Sequence, residues 1–288
     1  MAARSLGRIR ALAEGRQRPR RWRLGTYSIG DIGPLLLAGI LCRGRLPRRL
    51  LEPEAVSGLA VVVPVYNEAE NLPAFAEEWL PALNALGTPF VVWFVDDGST
   101  DHSPAILERL ARSHPAHVRL IRQENAGHGA ACRRGYEEAL AGGADWVLQI
   151  DSDGQCDSAY LREFWLKRSE AACVFGERRT RGDGWHRALV SRICSGLVAF
   201  RCGIRVGDAN VPYRLMEARV LARALQRIPP DFGLQNIALT VLLRKSRVTW
   251  SIVPIRFRAR AGGTNSVNLR RIALMGWRML GQLGRLRA

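Results

Sequence analysis

Short apolar runs alternate with segments of helical periodicity between residues 59 and 168. The runs are Leu59–Tyr66, Phe90–Val95, Val118–Arg122 and Trp146–Ile150. Continuous runs of this kind, rich in Val and Ile, are typical of strands that are buried on both faces of a parallel sheet. Because strands that alternate with helices build βαβ units, the sequence predicts the α/β class, with a mostly parallel central sheet and helices on both faces.

Three of these four strands end in clusters of polar residues. The clusters are Tyr66–Glu68, Asp96–Ser99 and Asp151–Gln155. Each cluster taken alone is explained by helix capping or turn formation. Since open α/β sheets bind ligands beyond the carboxyl ends of their strands, three such clusters favour one shared site.

The third cluster predicts a metal site. Asp151 and Asp153 are separated by one residue, and Gln155 follows with a neutral oxygen. Mg²⁺ and Mn²⁺ prefer such ligands and often bridge them to substrate phosphates, so we expect one of these ions on a diphosphate substrate. The chain has no GxxxxGK[ST] loop and no GxGxxG after a strand, which argues against an ATPase or an NAD-dependent dehydrogenase. His128, a single histidine between two glycines, receives no catalytic role.

The net charge of +17, from 43 basic and 26 acidic residues, is unevenly distributed. Residues 1–50 hold 12 basic and 2 acidic residues, residues 256–288 hold 8 basic and no acidic ones, and the centre is nearly neutral. This pattern predicts a basic extension over residues 1–55, a catalytic domain over residues 56–266 and a basic amphipathic helix over residues 267–288. The flanks either reflect an arginine bias on solvated tails or contact an anionic membrane surface.

No apolar run approaches the ~20 residues of a transmembrane helix, and Pro34–Cys42 is the longest. The six cysteines form no CxxC pair and no zinc-ligand spacing, as is typical of a reduced protein. We therefore expect a cytoplasmic protein without a transmembrane helix, peripheral at the membrane face. The neutral centre argues against a nucleic-acid partner.

Several motifs are spread over most of the chain, from about Leu59 to Ser266. They are Val62–Glu68, Val95–Asp101, Asn125–Ala131, Asp151–Gln155, Gly176–Arg178, Arg187–Ser191 and Asp208–Arg214. Together they resemble the GT-A glycosyltransferases of family 2, most closely the polyprenyl-phosphate (dolichol-phosphate mannosyltransferase-like) branch. The resemblance implies a GT-A fold and a transferase that uses a nucleotide-sugar. The late segment Arg260–Ser266 keeps the Arg and Gly of the branch's R-x-x-G-x-S-K pattern but lacks its Lys.

The resemblance also implies roles for individual residues. Nucleotide binding is expected of Pro64, Tyr66, Asn67, Glu68, Asp96, Asp97, Gly127, Arg133 and Ser152. Base and ribose would contact Pro64, Tyr66, Glu68 and Asp97. The metal would be held by Asp151, Asp153 and Gln155. Phosphate contacts are expected of Arg178, Arg187 and Ser191. From the residues themselves, Arg214 is a further cation available to a phosphate, and Asp208 is either a general base or the structural partner of Arg214.

These residues supply several cations but few spare carboxylates, which favours a phosphate acceptor over a hydroxyl. A phosphate is already an anion and needs positioning rather than a general base. We therefore expect an inverting transfer from a GDP- or UDP-sugar to a polyprenyl phosphate. The alternatives are transfer to a saccharide or protein hydroxyl, nucleotidyl transfer, and a non-catalytic protein whose basic flanks bind nucleic acid. The sequence does not predict an oligomeric state.

Overall fold

The computed structural model describes residues 58–180 and 210–258, with further positions at 196, 199–200, 203–204 and 281. Predictions for the extension over residues 1–55, and for nearly all of the helix over residues 267–288, lie outside this range. The same is true of four candidate site residues, Arg187, Ser191, Asp208 and Arg260. The three-part division of the chain therefore stays a prediction.

Seven strands of the described part form one sheet in the order β3-β2-β1-β4-β6-β5-β7. They are β1 (Leu59–Val65), β2 (Phe90–Asp97), β3 (Val118–Gln123), β4 (Trp146–Gln149), β5 (Cys173–Thr180), β6 (Arg214–Glu217) and β7 (Trp250–Arg256). The helices are α1 (Leu72–Asn84), α2 (Ser103–Ser113), α3 (His128–Ala141), α4 (Leu161–Lys167), α5 (Ala218–Leu225) and α6 (Gln235–Lys245). A 3₁₀ turn, Ser158–Tyr160, precedes α4.

The sheet is parallel except at β6, which pairs antiparallel with both β4 and β5. This confirms the predicted α/β class with a mostly parallel sheet. β5 extends to Thr180, where it pairs in parallel with β7 as far as Arg256. Since β1, β2 and β4 are mutually parallel, their carboxyl ends meet at one edge of the sheet.

The core explains why these elements form. Every residue of β1 is buried, as its apolar run predicts. α1 buries one stripe of side chains, Leu72, Phe75, Ala76, Trp79 and Leu83, against the sheet. Asn67 has a positive φ of 54° and ends β1 in a turn, and the helix begins after it at Leu72. Among the helices of the described residues, none is long and apolar enough to cross a membrane.

Candidate active site

A cavity of about 410 Å³ lies at the edge where β1, β2 and β4 end. Its walls come from the last residues of these strands, from the segments that follow them and from the start of α3. The lining residues are Pro64, Val65, Tyr66, Glu68, Asp97, Asn125, Gly127, His128, Ala131, Asp151, Ser152 and Asp153. The structure therefore brings together residues of all three polar clusters that the sequence singled out, although no observation tests the individual roles.

The first two clusters are cross-linked by hydrogen bonds. Asn67 Oδ1 accepts from Thr100 N at 2.8 Å, and Asn67 N donates to Ser99 Oγ at 3.0 Å. Ser99 N in turn donates to Asp96 Oδ1 at 3.0 Å. Asn67 and Asp96 were both expected to contact the nucleotide, but neither is among the lining residues. Their contacts instead hold Tyr66, whose side chain is 49% exposed, at the cavity.

A second set of contacts fixes the loop that carries Glu68. Glu68 N donates to Ser103 Oγ at 2.9 Å, and Ala69 N donates to Asp101 Oδ2 at 3.1 Å. Burial disfavours the charged form of Asp101, but hydrogen bonds from Ser103 and from Ala69 outweigh it and lower the pKa of Asp101. The charged carboxylate therefore keeps this loop in place at neutral pH.

Asp97 organises the loop before α3. Its Oδ1 accepts from Gln123 Nε2 at 2.7 Å and from Ala126 N at 2.9 Å, and its Oδ2 accepts from Gly127 N at 2.8 Å. Gly127 has φ 91°, a value that favours glycine. These three donors satisfy the buried carboxylate. Asp97 therefore fixes the loop that leads into α3 at the cavity wall.

The third cluster forms what we call the metal loop, residues 151–155. Ser152 Oγ donates to Pro64 O at 3.0 Å, which anchors the loop to the end of β1. Gln155 N donates to Asp153 Oδ1 at 3.1 Å. Two carboxylates and an amide oxygen on one short loop fit a hard divalent cation, and such a cation would accept diphosphate oxygens as further ligands. In the part of the chain that the structure describes, His, Cys, Asp and Glu alone form no group of three spaced for a metal.

Asp151 is oriented by two neighbours that sequence reasoning left unassigned. Its Oδ1 lies 3.0 Å from His128 Nε2 and 3.5 Å from Gln149 Nε2. Gln149 is held in turn by Tyr136, whose hydroxyl donates to Gln149 Oε1 at 2.7 Å. Burial disfavours ionisation of Asp151, but His128 and then Gln149 outweigh it and lower its pKa. Cys132 and Asp151 raise the pKa of His128 well above its usual range.

The described arginines of the predicted site take different positions. Arg178, at the end of β5, lies over the Phe257 ring with its Cζ 4.4 Å from the centroid. Phe257 directly precedes Arg258, whose N donates to Gln155 O at 3.1 Å, so Arg178 lies near the end of the metal loop. Arg133 is not among the lining residues; its Nη1 donates to Ile228 O at 2.9 Å and its Nε to Glu137 Oε1 at 2.8 Å.

Arg214 lies in the interior and is not among the lining residues of the cavity. The side chain is fully buried, with 0% exposure. Nε donates to Val211 O at 2.9 Å and Nη1 donates to Asn236 O at 3.0 Å, while Cζ lies 4.7 Å from the centre of the Phe175 ring. A guanidinium enclosed in this way joins β6 to α6, and its contact with a phosphate stays a prediction.

Substituting Gly129 with Ala is expected to lower the free energy of unfolding by about 1–3 kcal/mol. A Cβ at this position would lie 2.4 Å from Gly233 O, and that backbone atom cannot move as a side chain can. Urea denaturation measures the loss. Gly142→Ala, whose nearest atom would be 3.3 Å away, is the control in the same helix region. Equal stability of the two variants would contradict the close approach of α3 to the segment before α6.

Similar proteins were found both among sequences and among solved structures. An undecaprenyl-phosphate 4-deoxy-4-formamido-L-arabinose transferase from Proteus mirabilis is 30% identical over 175 residues, which are 60% of this chain and 53% of that protein. The transferase of the same name from Enterobacter sp. is 29% identical over 170 residues, 58% of this chain and 51% of that protein. The chain thus matches about half the length of these relatives.

The fold also resembles a solved enzyme. Glucosyl-3-phosphoglycerate synthase from Mycobacterium tuberculosis, in complex with Mn²⁺, UDP-glucose and phosphoglyceric acid, superposes with a TM-score of 0.58 at 19% identity. The superposition covers 92% of this chain and 86% of that one. This likeness confirms the predicted GT-A fold. The model of glycosyl transferase family 2 matches residues 60–223, more than half of the sequence, and the chain therefore belongs to glycosyl transferase family 2.

Proposed function

We propose that the chain transfers a sugar from a nucleoside-diphosphate sugar to a polyprenyl phosphate, with Mg²⁺ or Mn²⁺ and with inversion at the anomeric carbon. The observation that carries this proposal is the single cavity that Tyr66 and Asp97 share with Asp151 and Asp153. The Tyr66 ring and the loop that Asp97 fixes suit a nucleotide, and the carboxylates of Asp151 and Asp153 suit the cation on its diphosphate. Similarity to a synthase crystallised with Mn²⁺ and UDP-glucose supports the same donor class.

Each part of the site has a role in this reaction. The carboxylates of the metal loop and Gln155 would hold the cation, and the bound cation would neutralise charge on the departing nucleoside diphosphate. The Asp97-fixed loop and Tyr66 orient the nucleotide. His128 and Gln149 keep Asp151 in one orientation. Such preorganisation contributes to catalysis because the groups need not rearrange as charge develops.

The acceptor is argued from the carboxylates of the cavity. Glu68 Oε2 accepts from Asn71 Nδ2 at 2.6 Å, Asp97 binds three donors, and Asp151 and Asp153 form the metal loop. All four carboxylates among the described lining residues therefore already have a structural or metal-binding task. A phosphate acceptor needs no general base, and Arg178 offers a cation near the metal loop. The names of the undecaprenyl-phosphate transferase relatives support the same acceptor.

One assay tests donor, metal and acceptor together. The purified chain is incubated with UDP- and GDP-sugars, with Mg²⁺, Mn²⁺ or EDTA, and with undecaprenyl phosphate in anionic or neutral vesicles. We expect a glycolipid product only with a divalent metal, and more of it on anionic vesicles, in line with peripheral association through the basic flanks. Transfer to a saccharide or peptide hydroxyl with no glycolipid would refute the proposed acceptor.

A further inference from the structure

The segment that follows β7 is hydrogen-bonded to the end of the metal loop. Arg258 N donates to Gln155 O at 3.1 Å, and Gln155 Nε2 donates to Arg258 O at 3.3 Å. Only the NH₂ group of a carboxamide can donate to a carbonyl, so this contact decides which way the amide is turned. With Nε2 on Arg258 O, Oε1 is the side-chain atom of Gln155 left to serve as a metal ligand.

The side chain of Arg258 is fixed on two carboxylates. Nη1 donates to Glu78 Oε2 at 2.6 Å, and Nη2 lies 2.9 Å from Asp157 Oδ1. Glu78, on α1, also accepts from Ser158 N at 2.9 Å through Oε1. We call Glu78, Asp157 and Arg258 the latch. It joins α1, the chain just beyond the metal loop and the end of β7, and the forked guanidinium is suited to two acceptors at once.

The latch is poorly suited to stabilising the fold. The side chain of Arg258 is 45% exposed, and those of Glu78 and Asp157 are 28% and 27% exposed. Burial disfavours the charged form of Glu78, but the contacts with Arg258 and the hydrogen bonds from Ser158 together outweigh it and lower the pKa of Glu78, so the pair is ionised at neutral pH. Ion pairs this exposed contribute about 0–1 kcal/mol. We therefore expect the latch to act mainly on the position of the Arg258 backbone.

We propose that Arg258 is a positioning residue: held by Glu78 and Asp157, its backbone orients the Gln155 amide and so sets the affinity of the metal loop for its divalent cation. This inference rests on the metal-dependent function proposed above. It assigns a role to Arg258, which is not among the residues that line the cavity. It also assigns a role to the contact between Arg258 and Glu78, which are 180 residues apart in sequence. Groups that orient a ligand in this way typically change metal affinity by about 10–100-fold when they are lost.

Mn²⁺ binding to the full chain tests the proposal without turnover. Free Mn²⁺ is measured by electron paramagnetic resonance in the presence of saturating UDP. We expect Gln155→Ala to weaken binding about tenfold or more, and Arg258→Gln to weaken it by about tenfold. The double variant should bind no more weakly than Gln155→Ala alone, because Arg258 acts through Gln155. Additive losses, or an unchanged affinity of Arg258→Gln, would overturn the proposal.

A matched control separates positioning from loss of an ion pair. Arg134 Nη2 lies 2.6 Å from Glu138 Oε1 on α3, with exposures of 53% and 31%, so Arg134→Gln removes a comparable pair away from the metal loop. Both Arg variants should unfold within about 4 °C of the parent, and only Arg258→Gln should bind Mn²⁺ more weakly. If Arg258→Gln does not fold, Glu78→Gln replaces it, with the same expected direction and the same dependence on Gln155.

The same titration distinguishes this proposal from the function on which it rests. Asp151→Asn is included in every series. Unchanged Mn²⁺ affinity in Asp151→Asn would refute the metal site itself, and the role of Arg258 with it. Weakened binding in Asp151→Asn together with unchanged binding in Gln155→Ala or in Arg258→Gln would refute the latch alone and leave the proposed reaction standing.

Discussion

Asp151→Asn is expected to reduce sugar transfer about a thousandfold. Asn keeps the size of the side chain but removes the negative charge that would hold the cation at the diphosphate. A metal that stabilises a leaving group contributes several kcal/mol, and about 4 kcal/mol corresponds to a thousandfold in rate. The change also replaces a carboxylate oxygen that lies 3.0 Å from His128 Nε2 with an amide group. Loss of charge and loss of orientation therefore act in the same direction.

Initial rates of glycolipid formation at several Mn²⁺ concentrations measure the effect. Glu163→Gln is the control, because it makes the same carboxylate-to-amide change on α4, where Glu163 lies 3.8 Å from Lys167 and outside the cavity. Circular dichroism confirms that both variants fold. High Mn²⁺ should restore at most part of the rate of Asp151→Asn. Near-normal transfer at low Mn²⁺ would show that the metal loop has been assigned wrongly.

The first four strands and the cavity at their ends could be predicted well, because the sequence signals for them are local. A β-branched apolar run such as Leu59–Val65, in a chain where strands alternate with helices, favours the centre of a parallel sheet, and polar residues that follow parallel strands meet at one edge. These two signals are enough to predict most of the cavity. Its lining from Pro64 to Asp153 follows from three strand ends and the start of α3.

The position of His128 beside the site could also be predicted from the sequence. α3 begins at His128, after the Asp97-bound loop, and helices that follow strands of a parallel sheet begin at its carboxyl edge. That position predicts an approach to the strand-end carboxylates. The start of α3 therefore belongs to the wall of the site, together with the strand ends.

The remaining features depend on long-range packing that leaves no local pattern. β6 runs antiparallel between β4 and β5, so the order of strands cannot be taken from their order in sequence. Glu78 and Arg258 meet only because α1 and the end of β7 flank the metal loop. Arg214 lies in a segment that resembles a ligand-binding motif, yet the structure uses its charge in the interior.

Arg214→Leu is expected to lower the free energy of unfolding by about 2–4 kcal/mol. The substitution leaves Val211 O without the guanidinium that donates to it, whereas Asn236 O keeps the donor Thr240 Oγ1 at 2.9 Å. A buried carbonyl that loses its donor costs about 1–3 kcal/mol, and the void left by the smaller Leu side chain adds about 1 kcal/mol. Arg214→Lys should recover part of the loss, because an ammonium keeps the charge but not the fork that spans two carbonyls.

Urea denaturation gives the unfolding free energies, with Arg162→Leu on the exposed face of α4 as the control for removing an arginine. UDP binding is then measured on each variant below its unfolding transition. A structural role predicts a large loss of stability and near-normal UDP affinity in the folded fraction. The opposite pattern, parent-like stability with UDP or polyprenyl-phosphate binding weakened tenfold or more, would return Arg214 to the substrate-binding set that its sequence motif suggests.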